Sequence, residues 1–149
     1  MPASVLETSD REALLRRVAA LPREAPARWG RFTAPSMVCH LIESARMALG
    51  EIVPRPRGKR AFRSFPLKQL LIYVLPWPKG APTAPELLAG TPGDFERDRE
   101  TLGALVTRVG TGPREGDGPD HPLFGRMTRR DWGVLMHRHV DHHLKQFGA

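Results

Sequence analysis

The stretch 128–147 reads TRRDWGVLMHRHVDHHLKQF and holds four of the chain's six histidines. Thr128 with Asp131 three residues on is a capped helix start, and Gly148 stands where a C′ glycine ends a helix. At about 100° per residue, Trp132, Leu135, Met136, His139, His143, Gln146 and Phe147 share an arc of roughly 120°, the width of a core-facing stripe. His137 falls on the opposite, polar side with Asp141, and His142 lies on the flank, about 60° from His139. A chain ending this way has to bury two imidazoles, and whatever packs on that face has to accommodate them.

The i, i+4 spacing of His139 and His143 brings two rings close enough to chelate a divalent transition metal at about 2.0–2.1 Å. The same spacing suits two core histidines hydrogen-bonded to neighbours, so a third ligand has to be sought elsewhere. In the segment 33–50, Thr33 and Pro35 open a helix and Gly50 closes it. Its apolar positions Met37, Leu41, Ser44/Ala45 and Ala48 form a stripe that also contains His40, the obvious third ligand. An antiparallel arrangement of the two helices would bring His40 level with the His139/His143 pair.

The remaining segments are read as further helices joined by long connections. Ser9 to Glu12 has the form of a capping box ahead of a helix over 10–21, with Leu14, Leu15 and Val18 on one face before Pro22. Segment 22–32, with Trp29 and Gly30, reads as a packed connection whose indole covers the core. Leu67, Leu70, Leu71 and Val74 recur at i, i+3, i+4, i+7, a short helix over 66–75 with Pro76 as its stop. The prolines of 77–86 exclude regular structure there, and this piece is expected to lie ordered across the other helices. A cap at 91–94 with proline in the first turn opens a helix that ends at Gly110, with Phe95, Leu102, Leu105, Val106 and Val109 on its apolar face. In the glycine-rich loop 111–127, Leu123 and Phe124 are expected to plug one end of the molecule. No alternation is long enough for a sheet. The chain therefore reads as all-α: a four-helix bundle with a short extra helix and at least one crossover.

At 149 residues and 40% hydrophobic, the chain suits a single domain, 1–149, burying roughly 70% of its unfolded surface. The one cysteine, Cys39, forms no intrachain disulfide and has no CxxC partner, which fits a reducing, cytoplasmic setting. Its wheel position, about 100° from His40, makes it a buried inert thiol. The start lacks a secretory pattern, and the longest apolar run, 70–75, is far short of the ~20 residues of a membrane span. Neither membrane nor nucleic acid is expected as a partner. Much of the net charge of +7 sits on Arg55, Arg57, Lys59, Arg60 and Arg63, read as a solvated basic loop or as a rim attracting an anionic substrate.

The chain resembles members of the DinB/YfiT-like superfamily, in a branch of unknown function, through APSMVCHLIESARMALG, LPWPKGAPTAPELL, HPLFGRMT and HRHVDHHLKQFG. The resemblance implies an up-down-down-up four-helix bundle, often a homodimer, with a divalent metal held by one histidine of the second helix and an HxxxH pair of the last. Residue by residue these are His40, His139 and His143. Gln146 matches a glutamine that follows the last histidine in many such sequences. Similar bundles include bacillithiol S-transferases and a mycothiol-dependent maleylpyruvate isomerase, although no substrate-binding insert is visible here.

Three neutral imidazoles leave a +2 ion uncompensated and one coordination position open, as in catalytic rather than structural sites. Zn, Ni or Fe would suit such a donor set. The expectation is a metal-dependent enzyme that activates water or a thiol, acting as a hydrolase or thiol S-transferase on a small-molecule substrate or with a low-molecular-weight thiol. Glu43, three residues after His40, is a candidate general base, and Gln146 a candidate ligand- or substrate-binding group. His121 and His142 are held in reserve, and Trp29, Trp77 and Trp132 are expected in the core and pocket wall. The alternative is a non-catalytic, metal-stabilised bundle acting as a binding or stress-related protein.

Overall fold

Local sequence signals set most helix ends. The computed structural model describes residues 1–81 and 83–149; Pro82, in the irregular stretch expected over 77–86, lies outside the described residues. Five α-helices follow one another: α1 (Thr8–Ala20), α2 (Ala34–Ala48), α3 (Leu67–Tyr73), α4 (Phe95–Thr111) and α5 (Arg129–Gln146). Two 3₁₀ turns, Arg60–Arg63 and Pro85–Leu87, interrupt the connection between α2 and α4. Among the described residues there is no strand; the only bridges are isolated ones, Asp117 to Thr128 and His121 to Gly125.

The two helices that carry the histidines have reciprocal caps. Thr33 accepts from the Ser36 backbone while the Ser36 side chain accepts from the Thr33 backbone, and Thr128 and Asp131 do the same for α5. Each exchange satisfies two amide donors that a helix start otherwise leaves open. α2 is buried nearly all round: eleven of its fifteen residues are inside, because α4, α5 and the Pro85–Leu87 turn all pack on it. α5 contacts each of the other four α-helices. Its buried surface is correspondingly wider than the predicted stripe and takes in Gly133, Val134, Val140 and Leu144. Part of this added burial comes from the N-terminal segment: Val5 donates its amide to the Gly133 carbonyl over 3.1 Å.

Two other expectations are corrected, and packing sets an orientation of α3 that spacing left open. α1 begins at Thr8 after Glu7, with no side-chain cap; the expected Ser9 cap is inside the helix because the turn formed by Ser4 and Glu7 starts it earlier. α4 is capped by Asp94, whose carboxylate accepts from Arg97 N, so proline-containing 91–93 precedes the helix. In α3 the buried residues are Lys68 and Ile72, about 120–160° on the helix wheel from Leu70 and Val74. Of the four spaced apolar residues, Leu70 and Val74 are exposed, while Leu67 is half-buried and Leu71 packs against the core. Tyr73 and Lys68 impose this orientation, the first bonding the Asp131 carboxylate and the second the Arg126 carbonyl.

Phe124 is buried and Leu123 packs against the core, as expected for the end of the 111–127 loop. Among the described residues no helix is long and apolar enough to cross a membrane.

A candidate metal centre of three histidines

α2 carries His40 and α5 carries His139 and His143, and the packing of the two helices brings the three rings together. One nitrogen from each ring lies within 4.8 Å of those of the other two, and His40 Nε2 is 3.0 Å from His139 Nε2. Ring centroids are 4.9 to 5.0 Å apart. Three nitrogens on one ion at about 2.1 Å stand roughly 3.4–3.6 Å apart, so closing this triad on a cation takes ring movements on the order of 1 Å.

The protons on two of the rings are placed by their partners. His40 Nδ1 is 3.1 Å from the Leu87 carbonyl, which only accepts, so Nδ1 carries the proton and Nε2 presents a lone pair. His143 Nδ1 is 2.7 Å from Gln146 Oε1. The Gln146 amide is itself oriented, because its Nε2 donates to the Trp29 carbonyl over 2.8 Å. A backbone carbonyl therefore sets the amide, the amide sets the tautomer, and His143 Nε2 is left bare. Such outer partners raise the basicity of the inward nitrogen and hold the ring for an ion.

Burial lowers the pKa of all three rings. It acts first on His139, whose pKa is held well below the usual histidine range, helped by repulsion from His40 and His143. Burial and then His40 push His143 down to about 3, and burial lowers His40. Neutral imidazole is the form that binds metal. The walls are aromatic: Phe32 stacks on His40 with centroids 5.2 Å apart and meets His143 edge-on, while Trp77 lies 5.7 Å from His139. Trp29 packs against His142, which touches His143. Trp132 lies in the core.

The other sequence candidates separate cleanly. Gln146 is at the triad as an orienting group. Glu43 is not brought to it: its Oε1 pairs with Arg46 over 2.8 Å, and its stem lies beside Gly90 with that of Cys39. Cys39 is buried and its thiol pKa is raised, by burial and then by Asp98. His121 sits in the 121–125 turn, where its Nδ1 accepts from the amides of Leu123 and Phe124.

Sequence reasoning missed Phe32 and the Leu87 and Trp29 carbonyls. Phe32 directly precedes the Thr33 cap, a position whose apolar side chain commonly packs against the helix it introduces, and that signal was available. A backbone carbonyl has no residue-type signal.

The family model described as a protein of unknown function, DUF1569, matches residues 4–149. The chain belongs to the DUF1569 family. No curated protein and no solved structure matches it. The triad of this DUF1569 chain therefore has to be interpreted from its own geometry and chemistry.

Proposed function

We propose that this DUF1569 chain is a metal-binding four-helix bundle of the DinB/YfiT type, in which α1, α2, α4 and α5 run up-down-down-up and His40, His139 and His143 hold one divalent transition ion. The observation that carries this reading is the pair of bare Nε2 atoms on His40 and His143, each enforced by an acceptor behind the ring. With His139 between them, the donor set is three neutral imidazoles and no carboxylate, which suits Zn, Ni or Fe.

Held by His40, His139 and His143, an ion would supply an activated water or thiolate at neutral pH, so hydrolysis or thiol transfer on a small molecule is the chemistry we assign. The chain's own part is to orient the rings through Leu87 and Gln146 and to exclude bulk water with Phe32 and Trp77. Glu43 has no place in this reading, because its carboxylate is engaged with Arg46.

A second reading, a metal that only stabilises a cytoplasmic bundle, draws support from burial. His40 is 3% and His143 8% exposed, although His139 is only half-buried, and a cleft of about 300 Å³ lined by Leu6, Leu49, Arg108 and Trp132 contains none of the three histidines.

Elemental analysis of tag-free protein tests the common core of both readings. About one ion per chain in the wild type, lost in His40→Ala and in His139→Ala, is the expected result. A wild type that takes up neither Zn nor Ni would make the three residues core histidines and end the proposal. Turnover of thiol or ester substrates by the metal-loaded protein then separates the enzyme from the structural reading.

A further inference from the structure

The excess charge of the chain has a single source. Residues 52–85 hold seven of its 23 Lys and Arg and none of its 16 Asp and Glu, so the remainder balances at sixteen of each sign. The same segment holds most of the large apolar side chains left in solvent. Phe65 is 82% and Val74 66% exposed, with Val53, Leu70 and Leu75 also outward. The two features are adjacent in space, since the Arg60–Arg63 turn packs against α3, and Phe65 lies between them in the chain. Arg55, Lys59 and Arg60 are exposed and, among the described residues, form no ion pair, whereas Arg57 is joined to Glu86.

We propose that the Arg60–Arg63 turn and the outward face of α3 form a docking surface for an anionic lipid bilayer, with Arg55, Lys59 and Arg60 among the headgroups and Phe65 and Val74 entering the acyl boundary. A bilayer with anionic headgroups offers negative charge and an apolar layer side by side, which is the pairing this surface needs. Nucleic acid supplies the charge but no environment for exposed aliphatic side chains. A second copy joined about a two-fold axis would set one basic run against another. This contact lies on the surface and needs no spanning helix. It departs from the reading of the segment as a solvated loop and from the expectation of no membrane partner, because the exposure of Leu70 and Val74 is set by tertiary packing.

Co-sedimentation of the full chain with vesicles tests it, using phosphatidylcholine alone and phosphatidylcholine with roughly one-third phosphatidylserine. The expected result is binding to the anionic vesicles only, weakening as salt rises. Each basic residue near such a surface is worth about fivefold in partition, so the combined Arg55→Gln, Lys59→Gln, Arg60→Gln variant should bind at least tenfold more weakly. Phe65→Ser with Val74→Ser should lose several-fold on the vesicles while leaving retention on duplex DNA as in the wild type. Absence of binding, equal binding to both vesicle types, or indifference to salt overturns the proposal on the wild type alone. Apolar variants that bind vesicles like the wild type would reassign the surface to polyanions generally. A wild-type dimer that Phe65→Ser with Val74→Ser dissociates would assign it to a second copy.

Discussion

His40 Nε2 stands 3.0 Å from His139 Nε2, although 99 residues separate them in the chain. His40 has its proton on the far nitrogen, held by Leu87, so only a proton from His139 or a shared cation relieves the repulsion between the two lone pairs. On the proposed metal-binding reading, proton and ion would compete for these nitrogens, so metal uptake should weaken as pH falls.

Replacing Gln146 should separate orientation from ligation. Gln146→Leu leaves His143 Nδ1 and the Trp29 carbonyl without partners, and zinc affinity by calorimetric titration should fall about 10- to 100-fold. Gln146→Glu keeps an acceptor for His143 but sets a carboxylate oxygen against the Trp29 carbonyl, and should recover only part of that loss. If Gln146→Leu binds zinc like the wild type, the glutamine does not set the ring.

Metal removal should lower thermal stability only where the triad is intact. An ion that binds the folded chain at about 1,000 times its dissociation constant adds roughly 4 kcal/mol. Chelator should therefore shift the calorimetric midpoint of the wild type downward and leave that of His139→Ala in place. Equal shifts in both proteins would point to a metal held elsewhere.

His121 predicts the acid limb of stability. Burial, then the nearby Lys68 charge, lowers its pKa to about 3, against about 6.5 in the unfolded chain. Above pH 6.5 the ring is neutral in both states and imposes no penalty. Between 6.5 and 3 the unfolded chain gains a proton that the folded chain refuses, so stability falls with pH, by an amount on the order of a few kcal/mol. His121→Asn keeps an acceptor for the Leu123 and Phe124 amides without the titration. Urea unfolding from pH 7 to 4 should show a shallower slope for this variant, and parallel slopes would remove His121 as the cause.

Gly133→Ala should destabilise a helix that alanine ordinarily favours. An added Cβ would lie 2.6 Å from both Leu6 Cγ and Ser4 Oγ. Overpacking of that kind costs about 1–3 kcal/mol, against a gain of about 1 kcal/mol in helix propensity. A lower urea midpoint is the expected reading; a higher one would mean that the N-terminal segment does not hold α5 as described.

Much of this molecule is local and was legible in the linear chain. The reciprocal cap at Thr128, the termination near Gly148, and the common face of His139, His143 and Gln146 all follow from spacing along one helix, where the 3.6-residue period fixes relative positions before anything packs. The caps of α2 and its stripe through His40 belong to the same class. Errors arose where two local signals competed, as at Ser9 against the turn at Ser4 and Glu7, and at Pro92 against Asp94.

Only tertiary structure decided the rest, because relations between segments depend on packing and hydrogen-bond partners drawn from elsewhere in the chain. It joined His40 to His139, supplied the Leu87 and Trp29 carbonyls that fix the tautomers, and drew Glu43 aside to Arg46. It also left Leu70 and Val74 of α3 in solvent: periodicity shows that a helix has an apolar face, but the bonds from Tyr73 to Asp131 and from Lys68 to Arg126 determine how that face is turned.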